Sequence, residues 1–375
     1  MTSQADVIEA DMEYVDIPRT GLKVSRVAIG TWAIGGWMWG GTDVAESIAT
    51  IRAALDHGIN VIDTAPAYGF GRSEEIVGKA IADGRPRSSV IIATKTGLEW
   101  QGDSISRNAS RARIMREIED SLRRLQTDYI DVYQVHWPDP LVMIEETAEA
   151  MYTLYNQGKI RAIGVSNFSV DQIARFRRVA PLHVLQPPYN LFERGIETDL
   201  LPYTRDNKIA TFGYGALCRG LLSGRMRTDT VFDGDDLRRS DPKFVAPRFA
   251  QYLAAVQRLD QLAQERFGKR VIHLAVRWML DQGITTALWG AREDPREAGG
   301  TAAVAAGNHR TDQIRRRSGG ATVPGLGCRR RGIPDRSGHR HGVGIHGSHD
   351  RRTATDHRPH LHPAPYRNSL RPAPT

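Results

Sequence analysis

A closed (β/α)8 barrel, or TIM barrel, is the fold class that this 375-residue sequence predicts, and three features of the chain predict it. Eight short runs rich in β-branched residues are separated by stretches with helical periodicity. The runs are apolar throughout, which is typical of parallel strands covered on both faces. Eight strand–helix units favour closure into a barrel over an open doubly wound sheet. The predicted strands are 27–30, 59–62, 90–93, 129–135, 160–165, 183–185, 209–212 and 285–288.

The helices between these strands have recognisable ends. Clear helical periodicity covers 43–58, 110–125, 143–158 and 250–268. Asp43 and Ser110 are candidate N-caps, because their side chains can accept hydrogen bonds from the first turn. Gly58 and Gly158 are candidate C-terminal stops. Segment 72–82 is predicted to be an amphipathic barrel helix.

Two segments lie outside the regular alternation. Residues 13–27 predict an N-terminal β-hairpin that turns at Arg19, Thr20 and Gly21 and covers one end of the barrel. Residues 224–248, after the seventh strand, are mostly polar and have no clear period. Connections of this length in compact domains are typically functional lids or disordered. We favour a lid.

Charge and composition exclude several classes of protein. The chain holds 51 Lys and Arg against 43 Asp and Glu, but 15 of the Arg and only five of the acidic residues lie in 296–375. The remainder is close to neutral, which predicts neither nucleic acid nor an anionic membrane as a partner. No apolar run reaches the ~18 residues of a membrane span. The first residues do not resemble a signal peptide, so we expect a cytoplasmic protein.

The last part of the chain departs from the barrel pattern. Residues 296–375 contain one aromatic residue, three Leu, twelve Gly and eight of the twelve His. A segment this poor in apolar residues cannot offset its ordering entropy, so it predicts a disordered tail. The predicted domains are therefore a disordered N-terminus (1–11), the barrel (12–295) and the tail (296–375).

Two interpretations of the tail remain open. One is out-of-frame translation of a G/C-rich gene beginning near 292–296, since Arg, Gly, Ala and Pro have G/C-rich codons. The other is a natural basic tail. The first is favoured because no helix follows the eighth strand, so the final barrel helix is predicted to be missing or replaced.

Polar residues follow consecutive predicted strands, at the barrel end where active residues of this fold lie. Asp63 follows the second strand, with Tyr68 in the next loop, and Lys95 and His136 follow the third and fourth. Singly, each is explained by a salt bridge or a satisfied core histidine. Together they would meet at one barrel mouth. A Lys ammonium beside the phenol lowers its pKa, which favours a proton donor for a carbonyl oxygen that receives hydride.

Hydride chemistry needs a cofactor, and the common nucleotide motifs are missing from the sequence. Neither GxGxxG nor GxxxxGK[ST] occurs, since Gly69 and Gly71 are followed by Glu74. A dinucleotide is therefore expected along strands five to eight. No metal site is predicted: there is no HExxH motif, and Cys218 and Cys328 lie far apart.

Over roughly 12–292 the chain resembles the aldo-keto reductase family. The matching segments are INVIDTAPAYGFGRSEEIVGKAI (59–81), VIIATKTG (90–97), SLRRLQTDYIDVYQVHWPDP (121–140), GKIRAIGVSNFS (158–169), LQPPYNLFER (185–194) and YGALCRGLLSGR (214–225). The resemblance implies NADPH-dependent reduction of a small-molecule aldehyde or ketone to an alcohol. Asp63, Tyr68, Lys95 and His136 would be the catalytic tetrad, with Tyr68 giving the proton. The alternative is a non-catalytic, cofactor-binding regulatory barrel, which the intact tetrad disfavours.

The resemblance also implies residues for NADP. Ser166, Asn167 and Gln186 would bond the nicotinamide amide, and Tyr214 would stack on its ring. Gly215, Leu217 and Arg219 would line the pyrophosphate, mainly through backbone, and Arg225 would lie near the phosphates. Gly290 and Arg292 would begin the motif that reaches the adenosine 2′-phosphate, after which the chain departs from the family pattern. The remaining predicted cofactor contacts are Gly30, Thr31, Trp32 and Asp63.

The predicted substrate residues are largely aromatic. A glycine–tryptophan segment at 35–41 follows the first strand and would either wall a pocket or pack on the barrel top. Trp32 and Trp137 flank tetrad positions. The predicted substrate residues are Trp32, Trp37, Tyr68, His136 and Trp137.

Overall fold

The structure, a computed structural model, describes residues 12–290. Arg292, the final barrel helix and the predicted segments 1–11 and 296–375 lie outside the described residues. Within 12–290 no helix is both long enough and apolar enough to cross a bilayer.

Eight parallel strands close into a barrel, which confirms the predicted fold class. The described strands are β1 (Tyr14–Ile17), β2 (Leu22–Ser25), β3 (Val27–Gly30), β4 (Val61–Asp63), β5 (Ile91–Thr96), β6 (Leu98–Gln101), β7 (Ser104–Arg107), β8 (Ile130–Val135), β9 (Ile160–Ser166), β10 (Val184–Gln186), β11 (Ala210–Gly213) and β12 (Thr286–Gly290). Around the barrel the order is β10–β11–β12–β3–β4–β5–β8–β9. Several strands run a residue or more further than predicted, so that Asp63, Thr96 and Ser166 are strand residues.

Helices cover the outside of the barrel. The described α-helices are α1 (Val44–Asp56), α2 (Arg72–Ile81), α3 (Arg111–Leu125), α4 (Ile144–Asn156), α5 (Val170–Arg177), α6 (Leu200–Asp206), α7 (Arg248–Phe267) and α8 (Val271–Asp281). The predicted caps are confirmed: Asp43 accepts a hydrogen bond from the Glu46 N–H, and Ser110 accepts one from the Arg113 N–H. Helix α2 confirms the amphipathic helix predicted at 72–82.

The predicted N-terminal hairpin is β1 paired antiparallel with β2. Its apolar side chains Ile17, Leu22 and Val24 are buried against residues that line the barrel interior, among them Phe212 and Leu288. The hairpin therefore closes one end of the barrel, as predicted. Because it precedes β3, this is the end where the barrel strands begin, and the opposite mouth carries the polar residues.

A second hairpin was not predicted. Strands β6 and β7 pair antiparallel directly after β5 and carry Trp100. The pattern of this segment is short and polar, and only its position beside β5 shows that it belongs to the barrel mouth. The long connection at 224–248 contains two 3-10 turns, Leu237–Arg239 and Pro242–Phe244, before α7 begins.

Candidate active site

The four predicted tetrad residues lie together at the barrel mouth. Asp63 ends β4, Lys95 lies one residue from the end of β5, and His136 directly follows β8. Lys95 Nζ donates to Asp63 Oδ2 at 2.7 Å and to the Thr64 carbonyl at 2.9 Å. The same nitrogen lies 4.9 Å from the centroid of the Tyr68 ring. The Tyr68 and His136 rings meet edge to face at 5.7 Å between centroids.

Burial sets the electrostatics of this cluster. Lys95 is 1% exposed and Asp63 3% exposed, so their ion pair is shielded from water. Burial lowers the pKa of the Lys95 ammonium, and the Asp63 carboxylate opposes that shift. Burial, and then the charge of Lys95, hold the pKa of His136 well below 6.5. At neutral pH the His136 imidazole is therefore neutral, so it can offer one N–H to a substrate oxygen.

Side-chain amides fix the second oxygen of Asp63. Gln186 Nε2 donates to Asp63 Oδ1 at 2.7 Å, and Gln134 Nε2 lies 3.4 Å from the same oxygen. The amide nitrogen of Gln186, a predicted nicotinamide contact, is thus occupied by Asp63. Gln134 lies on β8, which is buried throughout and also contains Asp131. The available signal was a polar residue near the end of a mainly apolar strand.

A close approach of two glycines places Tyr68. A Cβ built on Gly35 would lie 2.7 Å from the Tyr68 carbonyl carbon, and one on Gly69 would lie 2.2 Å from the Gly35 oxygen. Gly69 also has a φ of 64°, in the left-handed region. Only glycine fits at these two positions without moving the backbone of the predicted proton donor.

Thr31 contacts the backbone of the tetrad residue Asp63. It is fully buried, its backbone N–H donates to the Asp63 carbonyl at 2.9 Å, and its hydroxyl contacts the same carbonyl and Ser73 Oγ. Its hydroxyl and its backbone N–H are therefore both occupied, and the predicted cofactor contact of Thr31 stays a prediction. Gly30 is in register with both Asp63 and Gly290 at the mouth.

The predicted nicotinamide residues come together at the ends of β9, β10 and β11. Ser166 Oγ donates to the Gln186 carbonyl at 2.8 Å, and Asn167 Nδ2 donates to the His136 carbonyl at 3.0 Å. Tyr214 Oη donates to Asn167 Oδ1 at 2.9 Å. Asn167 has a left-handed φ of 62°, which holds its amide next to the tetrad.

The segment after β11 contains several residues with left-handed backbone. Gly215, Cys218, Arg219, Gly220 and Gly224 all have positive φ. Backbone in alternating conformations of this kind directs N–H groups to one concave side. Within residues 12–290, the N–H groups of Leu217 and Arg219 donate to no acceptor.

Two predicted basic residues lie in the same segment. The Arg219 guanidinium pairs with Asp241, and the predicted contact of its backbone with the pyrophosphate stays a prediction. Arg225 lies at the exposed end of the segment.

Aromatic side chains line the approach to the tetrad. Trp32 lies 6.0 Å from Tyr68 between ring centroids, and Trp37 lies 4.9 Å from Phe70. The aromatic series continues with Trp39 of the 35–41 segment, which lies beside Trp32. It also includes Trp100, which the sequence did not indicate and which lies beside Phe70. Trp137, adjacent to His136, lies under the Arg107 guanidinium at 5.1 Å.

The long connection contacts the glycine–tryptophan segment. The Asp235 carboxylate accepts hydrogen bonds from Met38 N at 2.7 Å and Gly40 N at 2.9 Å. Leu237 N donates to the Met38 carbonyl at 3.0 Å, and Arg238 lies over Trp39. These contacts, which we call the loop latch, join the loop after β3 to the loop after β11. The lid role of 224–248 stays a prediction. In the described range no group of three or more His, Cys, Asp or Glu could hold a metal ion.

A family model and several known proteins are similar to this chain over most of its length. A model of the aldo/keto reductase family matches residues 26–316, which extends past residue 292, where the resemblance was expected to end. The chain is 66% identical over 283 residues to aldo-keto reductase YhdN of Bacillus subtilis (strain 168), covering 75% of this chain and 86% of that protein. It is 35% identical over 301 residues to the NADH-specific methylglyoxal reductase of Escherichia coli (strain K12), covering 76% and 91%.

Among solved structures, the glycerol dehydrogenase AKR11B4 from Gluconobacter oxydans matches with a TM-score of 0.71 and 52% identity. The match covers 79% of this chain and 90% of that one. The chain therefore belongs to the aldo/keto reductase family. It is an oxidoreductase that acts on carbonyl or alcohol groups.

Proposed function

We propose that this protein reduces an aldehyde or ketone to the alcohol with NADPH, and that Tyr68 donates the proton to the carbonyl oxygen. The observation that carries the proposal is the buried Lys95–Asp63 pair against the Tyr68 ring. A buried charge pair is costly to assemble and is weak support for stability. Beside a phenol, however, the ammonium of the pair can stabilise a phenolate.

The residues divide the work as follows. A bound nicotinamide cofactor supplies the hydride. Tyr68 transfers its phenolic proton to the substrate oxygen, and the Lys95 ammonium stabilises the phenolate that remains. Asp63 holds that ammonium in place. Neutral His136 donates a hydrogen bond to the same substrate oxygen and so orients the carbonyl, and the aromatic rings around Trp32 exclude water.

The chain fits a dinucleotide. Ser166, Asn167 and Tyr214 would hold the nicotinamide, next to the tetrad. The N–H groups of Leu217 and Arg219 would bind the pyrophosphate, since unpaired backbone donors are a natural site for phosphate oxygens. Gly290 and Trp32 would complete the cofactor's surroundings at the mouth.

We propose NADPH rather than NADH because Arg225 and Arg292 would make charge-assisted hydrogen bonds with the 2′-phosphate. One relative is NADH-specific by its name, so the choice differs within the family. Fluorescence titration with both cofactors tests it. We expect tighter binding of NADPH, and Arg225→Gln should weaken NADPH without affecting NADH. Equal affinities for the two cofactors would contradict the proposal.

The catalytic proposal is tested by turnover. The wild-type protein should oxidise NADPH in the presence of 4-nitrobenzaldehyde, and methylglyoxal and glycerol, the compounds in the names of two similar proteins, belong in the substrate panel. Tyr68→Phe should lower kcat by ~10²–10⁴-fold while NADPH still binds. Tyr152→Phe, on the exposed face of α4, is the matched control. Unchanged turnover by Tyr68→Phe would refute the mechanism, and cofactor binding without turnover of any carbonyl would favour a regulatory barrel.

A further inference from the structure

The strand that carries Lys95 is held from outside the barrel by two buried carboxylates. Glu74 on α2 is fully buried and Glu117 on α3 is 1% exposed. Neither residue belongs to the tetrad or to the predicted cofactor site. Burying a carboxylate between a helix and a sheet is expensive, and an apolar residue there would pack without that cost.

Both carboxylates bind the immediate neighbours of Lys95. Thr94 Oγ1 donates to Glu74 Oε1 at 2.7 Å, and Thr96 Oγ1 donates to Glu117 Oε2 at 2.9 Å. Side chains alternate along a strand, so Thr94 and Thr96 face the helices while Lys95 faces the barrel interior. The Gly97 N–H also donates to Glu117 Oε2, at 3.1 Å, which fixes the end of the strand.

Arginines on α3 complete two chains of contacts, which we call anchors. They are Thr94–Glu74–Arg124 and Thr96–Glu117–Arg113. Arg124 Nε donates to Glu74 Oε2 at 2.7 Å, and Arg113 pairs with Glu117. Burial raises the pKa of both carboxyls, that of Glu117 to about 7, and the arginines and threonine hydroxyls oppose the shift. Each anchor thus has the order threonine, glutamate, arginine, and the two flank the lysine on either side.

We propose that Glu74 and Glu117 are positioning residues for the reaction, acting through Thr94 and Thr96 to hold the Lys95 ammonium against Tyr68. Rotation of this strand about its own axis would carry the ammonium away from the phenol, and the two anchors resist that rotation from opposite sides of Lys95. Glu74 adds a negative charge that favours the charged form of Lys95. The inference rests on the proposed function, in which Lys95 acts on Tyr68.

Threonine-to-valine substitutions test the anchors separately from the glutamates. Thr94→Val and Thr96→Val remove only the hydroxyl, keep the β-branched shape that suits a strand, and leave both glutamate–arginine pairs in place. Thr94→Ser and Thr96→Ser keep the hydroxyl and are the conservative rescue variants. Thr286→Val is the matched control, because Thr286 is a fully buried strand residue whose hydroxyl bonds the Ser25 carbonyl at the opposite end of the barrel.

The expected result is a loss of rate without a loss of binding. Each valine variant should lower kcat by ~10-fold, since small misplacements of a catalytic group cost ~10–100-fold. KM and the NADPH dissociation constant should stay within about twofold of wild type. The basic limb of the kcat–pH profile should move to higher pH, because a displaced ammonium lowers the phenol pKa less. The serine variants should recover the rate, and Thr286→Val should lose stability alone.

Valine variants with unchanged kinetics would overturn the positioning role. If Thr94→Val and Thr96→Val keep the wild-type kcat and pH profile and lose only as much thermal stability as Thr286→Val, the anchors are purely structural and the proposal is overturned. Tyr68→Phe, assayed in parallel, separates this from failure of the proposed function. An active Tyr68→Phe refutes the mechanism itself, whereas an inactive Tyr68→Phe with fully active valine variants refutes only the positioning role.

Discussion

Replacing Lys95 with Met tests whether the charge pair serves chemistry at the expense of stability. Met has nearly the length of Lys and carries no charge, so Lys95→Met removes the ammonium and leaves the Asp63 carboxylate buried. Gln186 and Gln134 still donate to Asp63 Oδ1, but among residues 12–290 no other cation pairs with Oδ2.

The structure sets the expected magnitude. Both partners are almost fully buried and 2.7 Å apart, so breaking the pair leaves an uncompensated carboxylate in the barrel. Removing one partner of such a pair costs ~3–5 kcal/mol. At ~2–4 °C per kcal/mol for a domain of this size, Tm should fall by about 6–20 °C. Removing the carboxylate as well, in the double variant Asp63→Asn/Lys95→Met, should restore much of that stability.

Urea unfolding and steady-state kinetics together decide the point. We expect the order of stability wild type, then double variant, then Lys95→Met, whereas both variants should lose kcat by ~10²-fold or more because neither has the ammonium. If the double variant is no more stable than Lys95→Met, the unpaired charge is not the cause of the loss. If the double variant regains activity together with stability, the catalytic role of Lys95 is refuted.

Three further predictions follow from other contacts. Gly35→Ala should lower kcat at least ~10-fold by displacing the predicted proton donor, whereas Gly195→Ala, where an added Cβ meets nothing within 4 Å, should be neutral; equal rates would contradict the glycine contact. Asp235→Asn should speed NADPH release ~10-fold in stopped-flow fluorescence by weakening the loop latch, and Asp229→Asn on the same connection should not; unchanged release would refute a lid. His183 is buried with its pKa lowered to about 4, and its Nδ1 accepts an N–H, so the unfolded chain takes up the proton first as pH falls. The free energy of unfolding should therefore fall between pH 6.5 and 4, by at most ~1.4 kcal/mol per unit from this group, and His183→Asn should flatten that slope in urea unfolding; an unchanged slope would contradict the assignment.

The barrel could be predicted because its signals are local. Each buried strand is a short apolar run, and strand–helix alternation follows from periodicity alone. The tetrad was also within reach, because Asp63, Lys95 and His136 are charged or titratable residues at the ends of apolar runs. Their convergence follows from the closure of the barrel, which brings the ends of β4, β5 and β8 to one mouth.

The features that were missed depend on contacts between distant residues. Glu74 and Glu117 lie on helices whose polar residues ordinarily face water, and only the packing of α2 and α3 on β5 buries them. Asp235 lies in a polar loop that has no period to interpret, so its contacts with Met38 and Gly40 had no sequence signal. Thr94 and Thr96, by contrast, lie on either side of Lys95 at the end of a predicted buried strand. That alternation could have indicated that their hydroxyls face the helices and need partners there.

Transfer of deuterium from the cofactor tests the central claim most directly. NADPH labelled with deuterium at C4 of the nicotinamide on the transferred side is incubated with the wild-type protein and 4-nitrobenzaldehyde, and the alcohol is analysed by mass spectrometry. We predict one deuterium on the carbinol carbon for each NADPH oxidised, and formation of the same product ~10²–10⁴-fold more slowly by Tyr68→Phe. An unlabelled alcohol, or labelled alcohol formed equally well by Tyr68→Phe, would contradict this prediction.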